Sequence, residues 1–432
     1  MKRNLIYTLA FTIIVFFFNP FKSNAQIKVD AQLRNRFEIR NGYKSLASQN
    51  AVPSVFISQR TRLNFSFTSD FLKLTIVPQD VRVWGDEQLS SSTGVYGDDA
   101  SLTLFEGYAE LKLAPLAWLS VGRQQLVYDN QRLLAARNWN QNGIAYDAVV
   151  LKLIKNDWNI HTGCTWNSLS ETTSNNLYLP NRIKSMNFIW INHTLNENFK
   201  WSIMHISSGI TKTDSTNIIN FRHTTGFYTE YRKGNFNFWG DIYYQYGKNQ
   251  LGTTINAFLT DANLSYKIEN LLGGFNLSYL SGNTQTGNDQ TTDHLFDVLY
   301  GARHRFFGMM DYFSSFATNT KQGGLTDYSP YVEYKFSKLT SISNTWHFFQ
   351  LAQTNPLTPD NKNLGYENDL VLKYKFYNWG VLESGYAFFI PTESLKTMQK
   401  VTDNRYSQFF YLQLTIIPTL FNNNEPSKNN KL

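Results

Sequence analysis

From Ile27 to Ile39 the odd positions read Ile27, Val29, Ala31, Leu33, Asn35, Phe37 and Ile39. The even positions from Lys28 to Arg40 read Lys28, Asp30, Gln32, Arg34, Arg36, Glu38 and Arg40. Successive side chains of a strand leave opposite faces, so this segment carries one apolar and one charged face. The two-residue rhythm returns, with interruptions, as far as Ile416. Soluble sandwiches alternate too, but their strands are shorter and their polar face meets bulk water. Strands of roughly 9–11 residues, repeated many times with no helical pattern between them, fit a closed barrel whose apolar face meets lipid and whose polar face lines a lumen.

The links between strands are of two kinds, and they alternate. Tight polar links occur at Ser69-Asp70, Lys155-Asn156-Asp157, Leu195 to Asn198, Lys233-Gly234-Asn235, Ser337-Lys338 and Tyr377-Asn378, with a slightly longer one over Leu113 to Ala117. Long polar segments cover 41–54, 85–101, 128–143, 168–182, 209–222, 351–364 and 391–404. Outer-membrane barrels have short periplasmic turns and long extracellular loops, so the long segments are expected to face outward. An extra strand near Arg303–Asp311 would break that parity. Residues 282–327 are therefore read as one extracellular excursion folding over or into the pore. Gly273-Gly274 and Gly323-Gly324 read as turn signals. The expected fold is all-β: a single transmembrane antiparallel barrel of about 18 strands, or about 16, with both termini in the periplasm.

The start of the chain names the membrane. Lys2 and Arg3 precede an apolar stretch from Leu5 to Phe18, and Ser23-Asn24-Ala25 offers a small-residue cleavage site. Residues 1–25 read as a secretory signal peptide, 26–421 as the barrel domain and 422–432 as a disordered polar tail. An exported chain with many amphipathic strands belongs in a Gram-negative outer membrane. The single cysteine, Cys164, lies far from the cleavage site, which excludes a lipid anchor through cysteine and any intrachain disulfide. Without residues 1–25 the balance is 37 basic against 33 acidic residues, or +4. A nucleic-acid binder would carry a stronger, clustered excess, so nucleic acid is not an expected partner. An aromatic content of 16% suits girdles of Tyr and Trp at the membrane interfaces.

Pointing the apolar face at lipid lets the luminal face be written down. The first strand gives Arg34, Arg36, Glu38 and Arg40, and the second gives Arg60, Arg62 and Asn64. The third gives Lys73 and Thr75. Its phase is expected to slip at a bulge near Pro78, placing Asp80, Arg82 and Trp84 inward. The fourth adds Glu106, Tyr108, Glu110 and Lys112. Arg36, Arg60, Arg62, Lys73 and Arg82 would then share one wall. Guanidinium groups bind carboxylates through a two-pronged fork, and rings of Arg or Lys characterise anion-selective pores. The same charges could instead pair among themselves and brace the barrel.

Several stretches together resemble the alginate export family of outer-membrane barrels: Gln79 to Asp86, Val121-Gly122-Arg123-Gln124, Asp129 to Leu134 with Trp139, Tyr146-Asp147-Ala148, Phe296 to Tyr300, His304 to Gly308, Leu364 to Leu370, and Glu383 to Tyr386. The likeness spans nearly the whole mature chain. It implies an 18-stranded barrel with an arginine-rich constriction that passes an acidic polysaccharide. The resemblance carries that family's constriction arginines over to Arg82, Arg123 and Arg132. Alternation from Leu119 and Val121 aims Arg123 at lipid unless Gly122 carries a bulge.

The substrate-binding set expected in the lumen is therefore Arg36, Arg60, Arg62, Lys73, Asp80, Arg82, Arg123 and Arg132. The expected function is an outer-membrane channel for diffusion or export of an anionic poly- or oligosaccharide. Its expected partners are that saccharide, outer-membrane lipid and periplasmic export proteins. A general porin is one alternative. An outer-membrane phospholipase or lipid A deacylase is another, because His205 and Ser207 share a lipid-facing strand face and a histidine base beside a serine is the minimum for acyl transfer. No third group is evident to orient the histidine, and Ser208-Gly209 departs from the Asn-Gly that usually follows. The scattered histidines give no metal signature, and no cofactor is expected.

Overall fold

The computed structural model describes residues 25–85, 102–168, 170–171, 173, 183–212, 218–284 and 291–423. The first strands are β1 (Gln26–Asn41), β2 (Ser54–Thr68), β3 (Leu72–Val83), β4 (Thr103–Ala114), β5 (Ala117–Gln124) and β6 (Tyr146–Lys155). They continue into β7 (Trp158–Trp166), β8 (Ile183–Asn196), β9 (Phe199–Thr211), β10 (Ile219–Lys233), β11 (Phe236–Lys248), β12 (Thr254–Ile268) and β13 (Leu271–Leu280). After a two-residue β14 (Thr292–Asp293) come β15 (Leu325–Lys335), β16 (Thr340–Gln350), β17 (Asn363–Phe376), β18 (Gly380–Pro391) and β19 (Ser407–Ile416). Apart from β14, each pairs antiparallel with its neighbour, and β1 pairs with both β2 and β19, so the sheet closes into an 18-strand barrel. Closure leaves no ladder of open backbone groups in the hydrocarbon. β20 (Thr419–Asn422) adds to the start of β1, and β14 lies parallel beside β12.

Alternation sorts the two faces as the sequence pattern requires. Leu63, Phe65, Leu74, Ile76, Val121, Ile203 and Phe227 are exposed on the outer surface. Arg34, Arg36, Glu38 and Arg60 are buried on the inner one. At 16 residues, β1 is roughly 50 Å long at about 3.3 Å per residue, longer than a tilted strand needs to cross the hydrocarbon. The strand ends therefore stand clear of the lipid and can carry charge on either face.

The interior is not lined by wall side chains alone. The segment between β5 and β6 and the segment between β13 and β15 both turn inward. Leu133 and Leu134 of the first pack with Phe296, Val298 and Phe307 of the second in one apolar cluster. A backbone bridge joins Leu134 to Tyr300. Among the described residues the second segment holds one short helix, α1 (Phe316–Asn319), and a further helix, α2 (Glu393–Gln399), follows β18 and is capped by the Thr392 side chain. A ring of eighteen strands is too wide for its own side chains to fill. These two segments narrow it.

One of the two turn expectations changes. Gly273 and Gly274 lie inside β13 rather than in a turn, and the ring of Tyr331 covers Gly274 so closely that a Cβ there would fall 2.3 Å from it. The turn itself is at Glu269-Asn270, where Glu269 takes φ of 50°.

Candidate functional site in the lumen

Arg34 and Arg60 sit opposite one another on β1 and β2, and Arg62 sits opposite Gln32 and Gln79 on the same inner face. Their hydrogen-bond partners are carbonyl and side-chain amide oxygens. Arg34 Nε donates to Gln141 Oε1 at 2.8 Å and its Nη1 to the Asn138 carbonyl at 2.6 Å. Arg60 Nη2 donates to Asn138 Oδ1 at 2.9 Å and its Nη1 to the Gln141 carbonyl at 3.3 Å. Arg62 donates to Gln79 Oε1 at 2.9 Å and to the Asn142 carbonyl at 3.1 Å, with its guanidinium carbon 3.5 Å above the Phe105 ring. Arg36 divides its fork between Glu38, at 2.8 Å, and the Trp139 carbonyl, at 2.9 Å. Four cations on two strands thus hold one short stretch of backbone, 138–142, against the wall.

Trp139 is the pin of that strap. Its ring stacks on His304 at 4.0 Å between centroids, and Arg36 lies 3.9 Å over its face. His304 in turn pairs with Asp311 at 3.0 Å, and Tyr43 donates to the same carboxylate. Burial alone would raise the Asp311 carboxyl. The charge and hydrogen bond of His304, helped by Tyr43 and Lys44, outweigh it and hold the group below its ordinary value.

The far end of the same segment reaches the opposite side of the ring. Arg132 is 1% exposed and pairs with Asp261 of β12, Nε to Oδ2 at 2.5 Å, between the rings of Phe306 and Phe307. Asn130 donates to Asp241 of β11 at 2.6 Å. Trp190 and Ser202 both donate to Asp129, whose carboxyl burial pushes above the usual range. The longer segment is anchored likewise: the backbone N–H groups of Met309 and Met310 donate to Asp369 and Glu367 of β17 at 3.0 and 2.7 Å. Arg137 donates to the Leu299, Tyr300 and Gly301 carbonyls and so ties the two segments together. Arginines of β1 and β2 hold the first segment against the wall, and carboxylates of β11, β12 and β17 hold the two segments elsewhere around the ring.

The expected site residues divide. Arg36, Arg60, Arg62 and Lys73 are on the inner face, and Arg132 is inside the barrel. Asp80 and Arg82 are not. The register of β3 against β2 runs unbroken past Pro78, from Lys73 opposite Thr68 to Arg82 opposite Gln59, and the one-residue shift falls on the β4 side. Arg82 therefore stays on the outer face near the extracellular rim, where its Nη2 lies 2.7 Å from Asp80 Oδ2. Trp84 shares that face and bonds Gln59 there. Arg123 also faces outward. The pairing through Gly122 is continuous, and Arg123 meets Asp147 at 3.1 Å. Gly122 is there for another reason: it takes φ of 124°, and a Cβ would fall 2.4 Å from the Gly107 carbonyl oxygen. His205 and Ser207 do face outward as alternation requires, but His205 Nδ1 bonds Thr225 Oγ1 at 2.8 Å and its ring lies beside His223.

Sequence reading missed the strap itself. Its signal was the run Asn138-Trp139-Asn140-Gln141-Asn142, dense in amide groups suited to arginine, but the segment read as an outward-facing loop.

The alginate export family model matches residues 25–409. No curated protein matches the chain. Among solved structures, OccK3 (OpdO) of Pseudomonas aeruginosa is similar at a TM-score of 0.61 with 12% identity, covering 91% of this chain and 96% of that one. OpdK of the same organism, solved with vanillate, gives 0.57 and 13% over 92% and 99%. A BenF-like porin from Pseudomonas fluorescens Pf-5 gives 0.59 and 10% over 91% and 99%. At these identities the likeness speaks for the barrel fold, and the family match speaks for the rest: the chain belongs to the alginate export family and is an outer-membrane channel.

Proposed function

We propose that this channel passes an anionic, carboxylated poly- or oligosaccharide along a lumen biased by Arg34, Arg60 and Arg62. The observation that carries this reading is the partner set of those three guanidiniums: oxygens of carbonyls and amides, which accept hydrogen bonds without cancelling charge. Positive potential therefore persists where the strap narrows the path, and a field of one sign in a constricted, low-dielectric passage raises the local concentration of the opposite ion. Glu38 and Glu106 nearby moderate the hold, because conduction requires release as much as capture. Either direction of passage, export or uptake, uses the same physics, and periplasmic export proteins are its natural partners if the solute leaves the cell.

The test is single-channel conductance of the purified barrel in planar bilayers with acidic and neutral oligosaccharides. Current block by uronates but not by neutral sugars is the expected result. Equal indifference to both removes the anionic preference and leaves a general porin.

A further inference from the structure

Below the arginine strap, toward the periplasmic turns, the inner faces of β3 to β8 carry a second set of groups. The register sets them side by side. Lys73 lies opposite Glu110, Trp118 opposite Lys152, Lys152 opposite His161, and His161 opposite Trp190. Together they line a cavity of about 350 Å³. That is the small end of the range for ligand sites. Lys73 and Trp118 are each the second residue of their strand, so the cavity opens at the periplasmic mouth.

Its charge is unbalanced. The Glu110 carboxylate meets Lys152 on one oxygen and Lys73 on the other, the latter at 3.7 Å. One carboxylate between two ammoniums leaves a net positive charge facing the cavity. Lys73 keeps 44% of its side chain exposed and lies 4.5 Å from the centre of the Trp118 ring.

Its aromatic rings are held in place from outside the cavity. The Trp190 indole donates to Asp129 Oδ1 at 3.0 Å, and the His161 ring is bonded to the Tyr128 hydroxyl at 3.1 Å. Trp118 and Trp190 are half-buried, each presenting part of its surface to the cavity. An indole face accepts the apolar face of a sugar ring, Asn159 can bond hydroxyls, and an ammonium meets a carboxylate.

We propose that this pocket is a uronate subsite at the periplasmic mouth, seating one carboxylated sugar of an anionic chain before it reaches the arginine strap. The assignment rests on the acidic-saccharide reading above and adds to it a place and a polarity. A ligand added on the periplasmic side meets this pocket first.

The experiment uses the full barrel in planar bilayers, with trigalacturonate as probe and maltotriose as neutral control. Folding of every variant is verified by heat-dependent electrophoretic mobility. Trigalacturonate added to the periplasmic side should block wild-type current, and the Lys73→Gln/Lys152→Gln double variant should shorten the block dwell about tenfold. Trp118→Phe should retain most of the dwell, whereas Trp118→Leu should lose it. A fluorescence titration of the solubilised barrel gives a second reading: trigalacturonate should quench wild type more strongly than the Trp118→Phe/Trp190→Phe variant. A dwell unchanged in the double lysine variant but shortened in Arg62→Gln would overturn the pocket while sparing the acidic-saccharide reading. Wild-type indifference to trigalacturonate from both sides would overturn both.

Discussion

Arg132 reaches from the segment between β5 and β6 to Asp261 on β12, and its Nη2 donates to Asp261 Oδ1 at 2.7 Å. Both side chains are almost wholly buried. Removing one partner of such a pair strands the other charge, at a general cost of roughly 3–5 kcal/mol. Asp261→Ala should therefore release the segment without opening the ring. Protease cleavage within 125–145 should rise by about two orders of magnitude, and single-channel conductance should increase. Unaltered cleavage would mean that the arginine strap alone holds the segment.

Ion selectivity should follow the strap. Arg62 combines a luminal position with partial exposure, so its charge is the one a passing ion meets. Arg62→Glu should lower the anion-to-cation permeability ratio roughly tenfold, equivalent to about 1.4 kcal/mol along the path. Reversal potentials in a potassium chloride gradient measure this. A ratio that does not move assigns Arg62 to bracing alone.

Arg82 and Arg123 provide the contrasting prediction. Both lie on the outer face with carboxylate partners, Asp80 and Asp147. Arg82→Glu and Arg123→Glu should leave uronate block and ion selectivity within about twofold of wild type, since exposed pairs contribute little. A selectivity change as large as that of Arg62→Glu would contradict the register.

Acid should loosen the joint between the long inward segment and the loop after β1. Asp311 is held below its ordinary carboxyl value, so its contribution is present above about pH 4, the unfolded value, and is lost as pH falls through the folded one. Current noise in the open channel should therefore increase below about pH 4, and Asp311→Asn should show that noise at neutral pH with little further response to acid. An acid response identical in the variant would place the sensitive group elsewhere.

The fold was legible because the barrel writes its rule into every strand. Ile27 to Arg40 alternates with Asn35 as the one polar residue on its apolar face, and loop parity led to the strand number. Local phase was less secure. Pro78 suggested a bulge, and the bulge exists, but a shift against β4 does not reverse the face seen by β2, so Asp80 and Arg82 kept the outer side. The inward segments were opaque for a different reason. Asn138 to Asn142 and Phe296 to Phe316 have no period, and their positions depend on partners such as Arg34 and Glu367 that lie far away in sequence.

The bridge between Leu134 and Tyr300 also constrains the order of assembly. Hairpins can insert pairwise from local contacts, but this bridge needs both halves of the ring in place, and loop closure over so long a stretch is entropically late. A nascent barrel should thus exist for a time as an open, leaky hole before its throat consolidates. During refolding into lipid, protection of 125–145 from protease should lag behind the heat-resistant gel band, and simultaneous appearance would show that throat and wall form as one unit.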